Sequence, residues 1–165
     1  MTAAPGLRLG HRRRDWTVDI ISRAVLRRCQ LELAADPRSA GLARRQVREV
    51  LAEWGWTGER VDDVLTVCSE LVANAVEHAS PPGAVVVVRL QEIRGDCRLE
   101  VVDGRADLWP RERSAALGER GRGLLLVRLL SEDFGVVRQL RQGRKTVWSR
   151  ILLGRPMDGE PGVAA

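Results

Sequence analysis

Between residues 61 and 79 apolar positions recur at three- and four-residue intervals: Val64, Leu65, Cys68, Leu71, Val72, Ala75, Val76 and Ala79. That spacing lines one stripe of an α-helix and predicts a helix laid on a core. Its polar side carries Glu70 and Asn74 four residues apart, hence stacked on one face, with Glu77 and His78 a turn further on. A carboxylate in that position can take a proton or orient a water, and an amide oxygen beside it can ligate a hard cation such as Mg2+. Two polar residues at this spacing equally suit a plain solvent-facing side, and His78 at the helix end suits carbonyl capping.

Upstream, Trp16, Ile20, Ile21 and Val25 keep helical spacing and predict a short helix within residues 16–28. From Cys29 to Ala35 the pattern alternates, Cys29, Leu31 and Leu33 against Gln30 and Glu32, which predicts a strand with one buried face. Asp36-Pro37-Arg38-Ser39 ends it and offers Asp36 or Ser39 as the cap of a helix. The apolar side of that helix, Leu42, Ala43, Val47, Val50, Leu51 and Trp54, stops at Gly55. Thr57 is placed to cap the long helix, and Ser80-Pro81-Pro82-Gly83 closes it.

Residues 84–93 and 97–103 predict a hairpin around Arg94-Gly95-Asp96, and Leu99, Val101 and Asp103 share a face of its second strand. A carboxylate on a core face needs a donor or a cation beside it. Residues 104–119 lack a period and contain Pro110, Gly118, Arg111 and Arg113, which reads as a functional loop, a lid. Gly121-Arg122-Gly123 then opens an apolar helix over 124–130. Glycines there let backbone amides approach an anion, with Arg120 and Arg122 adding charge, although a flexible entry to a buried helix has the same pattern. Residues 134–140 and 146–153 predict two more strands joined at Arg141-Gln142-Gly143-Arg144. Gly143-Arg144-Lys145-Thr146 is not a Walker loop: no glycine directly precedes the lysine, and a strand follows instead of a helix.

A chain of 165 residues holds one domain with a proper core, and 4% aromatic content makes that core mainly aliphatic. Net charge is +5, carried by arginine with Lys145 as the only lysine, which permits phosphate ligands or acidic partners. There are no paired cysteines and histidines, no heptads and no aromatic-interleaved basic strand, so a direct nucleic-acid role would rest on the His11-Arg12-Arg13-Arg14 arm alone and is not expected. Cys29, Cys68 and Cys97 lie far apart inside apolar patterns and read as core residues in a reducing cytoplasm, not as a disulfide framework or a zinc site. No run has transmembrane length and no signal-peptide pattern opens the chain, so the expectation is a cytoplasmic protein with no membrane partner. The expected organisation is a basic arm over 1–28, partly helical, a folded domain over 29–153 and a loose tail over 154–165.

Helix with E-x-x-x-N, hairpin ending in Asp, irregular loop, G-x-G before a helix, then two strands with a Thr at the last turn: this order resembles the ATP-binding domain shared by gyrase, histidine kinases and mismatch-repair ATPases. It is most similar to the small stand-alone branch, the bacterial anti-sigma factor serine/threonine kinases of partner-switching systems. The run Glu70-Leu71-Val72-Ala73-Asn74-Ala75-Val76-Glu77-His78-Ala79 looks like that branch's first motif, and Ala35-Asp36-Pro37-Arg38-Ser39 and Lys145-Thr146-Val147-Trp148 are similar to its flanks.

The resemblance implies an α+β fold, a two-layer α/β sandwich of the Bergerat ATP-binding type, with a mixed, mostly antiparallel sheet covered by helices on one face. It implies ATP and Mg2+ as cofactors, Asn74 as the metal ligand and Glu70 as the base that takes the proton from an attacking hydroxyl. It further implies Asp103 as acceptor of the adenine amino hydrogen, Arg120, Gly121, Arg122, Gly123 and Leu124 at the phosphates, and Thr146 near the adenine end. Arg111, Arg113, Arg120 and Arg122 become candidates for stabilising the transferred phosphoryl group. The implied partners are a sigma factor and a STAS-type anti-sigma factor antagonist phosphorylated on Ser or Thr, with a homodimer formed on an apolar outer sheet surface. One departure stands out: many relatives carry D-x-G-x-G where this chain has Asp103-Gly104-Arg105-Ala106-Asp107, a point at which the small stand-alone branch is often loose, and this leaves a nucleotide-gated binding module without kinase activity as the alternative.

Overall fold

The computed structural model describes residues 19–21, 24–78, 80–81, 83–93, 95–107 and 123–154. Within them the strands are β1 (Asp19–Ile21), β2 (Ala24–Ala34), β3 (Val85–Ile93), β4 (Asp96–Asp103), β5 (Asp133–Gln139) and β6 (Arg144–Leu152), and the helices are α1 (Ser39–Glu53), α2 (Glu59–His78) and α3 (Gly123–Leu130). The strands form one sheet in the order β1-β2-β3-β4-β6-β5. Every pairing among the described residues is antiparallel, so the sheet is not mixed.

The predicted helix within 16–28 is instead a hairpin of β1 with the start of β2, and β2 begins at Ala24 rather than Cys29. Local spacing loses there to pairing with a distant strand: Arg27 lies opposite Glu92 and Arg28 opposite Gln91. Residues 1–18 and 155–165, which hold most of the expected arm and tail, lie outside the described residues, as do residues 108–122, which include most of the lid expected over 104–119.

All three helices cover one face of the sheet, with α2 in the middle between α1 and α3 and over β3, β4 and β6. Alternation on the strands sends Val86, Val88 and Leu90 of β3, Cys97, Leu99 and Val101 of β4 and Val147 and Ile151 of β6 into the core. The apolar stripe of α2 meets them with Val61, Val64, Leu65, Val67, Cys68, Leu71, Val72 and Ala75. Each fully buried Leu or Val there stabilises the fold by about 1.5–3 kcal/mol relative to exposure.

α1 ends on a Schellman motif: the Trp56 N–H reaches the Leu51 carbonyl at 2.9 Å, the Gly55 N–H reaches that of Ala52 at 3.0 Å, and Gly55 takes φ +84°. Its start is not capped in the predicted way. Asp36 accepts the Arg38 N–H at 2.7 Å, a local turn, and the Ser39 hydroxyl donates back to Ala34 O at 2.7 Å. α3 is fastened at its far end, where the Ser131 hydroxyl bonds Val127 O and meets Ser149 Oγ at 2.7 Å on the core face of β6. That tie, with Leu124 and Val127 buried, fixes where the first residue of α3 sits.

The outer face of the sheet is not the apolar surface expected. Its centre is a charged lattice of Arg98 with Glu100 (2.8 Å), Arg89 with Glu100 (3.9 Å) and Arg150 with Asp96 (2.9 Å). Trp148 lies within it, under the Arg98 guanidinium at 4.3 Å.

Candidate functional site

Glu70 and Asn74 stand on α2 where their spacing predicts, both half-buried, while Glu77 and His78 at the helix end are exposed and face each other at 3.7 Å. The burial of the first pair is what a solvent-facing rail would lack. The Asn74 side-chain nitrogen is buried and finds no hydrogen-bond partner among the described residues. An unpaired buried amide costs on the order of 1–3 kcal/mol, so this one is suited to a ligand's oxygen.

Gly123, the first residue of α3, sits directly against Glu70. A Cβ added there would overlap the Glu70 carboxylate, whose Cδ lies 3.3 Å from the Cβ position. Glycine leaves room for this close approach, which places a carboxylate beside the positive end of a helix, an electrostatically favourable place for it. Leu124 is buried behind Gly123 as an anchor of α3. Arg120, Gly121 and Arg122, and likewise Arg111 and Arg113, lie outside the described residues.

Asp103 ends β4 on the core face, 3% exposed. The donor that a buried carboxylate needs is Lys145, its cross-strand partner on β6: Nζ lies 3.1 Å from Oδ1 and 3.0 Å from Oδ2. The Arg105 N–H adds a bond to Oδ1 at 3.0 Å, and Lys145 also donates to Arg105 O at 3.3 Å. Burial pushes the Asp103 pKa up, and the Arg105 N–H followed by the Lys145 ammonium hold it back. Arg138 donates to Ala106 O at 2.6 Å and braces the same turn.

The structure does not bring Thr146 to Asp103. Thr146 pairs with Val102 and Val137, and the pleat turns it to the outer face with Trp148, whereas Lys145 shares the core face with Asp103. Lys145 is the site residue that sequence reasoning missed. The signal was available in strand parity: Lys145, Val147, Ser149 and Ile151 alternate on the buried side of β6.

The donor set fits Mg2+ and a nucleotide: a half-buried amide whose nitrogen finds no partner among the described residues, and a carboxylate beside it at the start of α3. Among the described residues no cluster of three His, Cys, Asp or Glu could hold a metal by itself, so a cation here would draw further oxygens from the phosphates and water. No helix among the described residues is long and apolar enough to cross a membrane.

Residues 33–151 match the family described as histidine kinase-like ATPase domain. Among solved structures, the chain is similar to the crystal structure of the RsbU and RsbW domains of Rv1364c from Mycobacterium tuberculosis, with 26% identity and a TM-score of 0.58 over 77% of this chain. The similar part is 33% of that protein's chain.

Proposed function

The chain belongs to the histidine kinase-like ATPase domain family, and we propose that within it the chain is an ATP-dependent regulator of a partner-switching system. In this reading it holds a sigma factor and phosphorylates a Ser or Thr on a STAS-type antagonist protein. The carrying observation is the half-buried Glu70–Asn74 pair closed by Gly123, with the Asn74 side-chain nitrogen unpaired among the described residues. The likeness to a chain with an RsbW domain supports the choice of branch.

Asn74 would hold Mg2+ through its amide oxygen, Gly123 and the α3 amides would face the phosphates, and Asp103 would lie at the base end. Bound MgATP supplies the phosphoryl group, with the metal neutralising charge on its oxygens. Glu70 accepts the proton of the attacking hydroxyl, a role worth about a hundred- to ten-thousand-fold in rate.

The test pairs two measurements. Calorimetric titration should show Mg2+-dependent ATP binding that Asn74→Ala abolishes. Transfer of labelled phosphate to a purified antagonist should fall at least about a hundredfold in Glu70→Ala, with ATP affinity retained. Equal transfer by Glu70→Ala and parent would dismiss the kinase and leave a nucleotide-gated binding module, while no ATP binding by the parent would dismiss both.

A further inference from the structure

β5 is the last strand of the sheet, and among the described residues it pairs with β6 alone. Every other N–H and C=O along the strand points to its far side, where among those residues no strand meets them. Edges of this kind are ordinarily blunted by shortness, proline or lysine. This one is seven residues long and has neither proline nor lysine. α3 forms the same border of the helix layer, packed on α2 and against β5. It buries Leu124 and Val127 and leaves Leu125, Leu126 and Leu129 exposed, Leu129 by 71%. Val137 on β5 and Leu140 just beyond it are exposed as well, Leu140 by 66%. An open ladder beside exposed leucines is what a partner that adds a strand requires.

The charges along the edge decide which partner that is. Glu132 and Asp133 are exposed at its start, and Arg138 and Arg141 are exposed at its end. An edge that is acidic at one end and basic at the other complements itself when reversed. A two-fold axis through Val136, perpendicular to the sheet, makes that reversal. It sets Asp133 opposite Gln139 of the other copy and diagonal to Arg141 of the other copy, within reach of a long side chain. Phe134, Val136 and Arg138 lie on the core side of β5, opposite Ser149, Val147 and Lys145. The same axis sets Phe134 opposite Arg138 of the other copy and Val136 opposite itself, so the core sides match and the helices of both copies stay on one side of a continuous sheet.

We propose that the border made by β5 and α3 is a homodimer surface, on which a second copy of this chain pairs β5 with β5 in antiparallel sense and the exposed leucines of the two α3 helices are buried beside the seam. The outer face of the sheet, where the contact between copies is expected from the resemblance, satisfies its charges in ion pairs of its own. The edge is the surface left with unmet backbone groups and exposed leucines. This inference does not depend on the nucleotide reading.

The test is sedimentation equilibrium of the full chain without nucleotide, over about 1–100 μM. The parent should dimerise within that range. Asp133→Arg should weaken the dimer about tenfold, because its new charge meets Arg141 of the other copy twice across the axis, and Asp133→Arg combined with Arg141→Asp should return it to within about threefold of the parent. In a second measurement, Val136→Cys, which meets itself on the axis, should be captured by diamide as a disulfide-linked dimer, and Val85→Cys, exposed on the outer face, should not. A parent that stays monomeric at about 100 μM overturns the inference, and that result needs no variant. A dimer that Asp133→Arg leaves intact is held by another surface and also overturns it, as does capture of Val85→Cys as fast as Val136→Cys.

Discussion

One methyl group at position 123 separates a positioned Glu70 carboxylate from a displaced one. The Cβ that alanine would add meets the Glu70 carboxylate, the free end of a side chain, so Gly123→Ala should relieve the overlap by moving Glu70 rather than the backbone. Stability should then change by less than about 1 kcal/mol, as alanine is also the better helix former. Catalysis should not be so tolerant, because a misplacement of about 1 Å can cost about a hundredfold. The expected result is phosphate transfer reduced about ten- to a hundredfold with Mg2+-dependent ATP affinity within about threefold of the parent. Parental transfer rates, or ATP affinity lost as in Asn74→Ala, would show that Glu70 is not positioned by this contact. Glu70 and Asn74 were legible because a four-residue spacing on a helix is local geometry. Lys145 was only half legible: parity along β6 sets it on the face of Val147 and Ile151, but the register with β4 is what puts it opposite Asp103.

Elements with their own stop signals were legible to within a few residues, and those defined by distant partners were not. Gly55 is the clearest stop: it lies at φ +84° with open space where a Cβ would go, so its glycine is required by conformation alone. Gly55→Ala should destabilise the chain by about 1–2 kcal/mol in urea unfolding, and Gly55→Asn by less, since asparagine tolerates the left-handed region. Equal midpoints for parent and Gly55→Ala would mean that the end of α1 rearranges at no cost. The hairpin of β1 with β2 shows the opposite case. Trp16, Ile20, Ile21 and Val25 have helical spacing, but the segment that follows is held by Glu92 and Gln91 of β3, more than sixty residues away, with Arg27 3.5 Å from Glu92. A local window contains nothing of that partner. The Asp36 turn failed as a predicted cap for a related reason, because the same carboxylate can bond the amide two residues on or the start of a helix, and here it takes the former.

At the scale of the whole molecule the two faces of the sheet have separate tasks, and the core face ties the site to global stability. The outer face holds its charges in pairs, with Gly135 leaving room for Trp148, whose Cζ2 would lie 2.9 Å from a Cβ there. The core face carries Cys97 on β4 and Cys68 on α2, both fully buried. Burial pushes each thiol from its ordinary value of 9.0 up to about 12; nearby Arg44 opposes the shift at Cys68, and Cys68 adds to it at Cys97. Because the folded pKa values are raised, the stability linked to these thiols is fully present below pH 9 and is lost as pH rises toward 12, where the unfolded chain ionises first. Urea midpoints should therefore fall above pH 9, and Cys68→Ala, whatever its cavity costs, should show a shallower fall. At pH 8 neither thiol should react with iodoacetamide faster than the chain unfolds, since the thiolate is the nucleophile and only opening of the α2–β4 contact exposes it. Rapid labelling of the native chain would mean that α2 lifts locally from the sheet. Glu70 and Asn74 stand on α2, so a helix that opens on its own could not hold the carboxylate and the amide in one place, and slow labelling is what the proposed site on this helix requires.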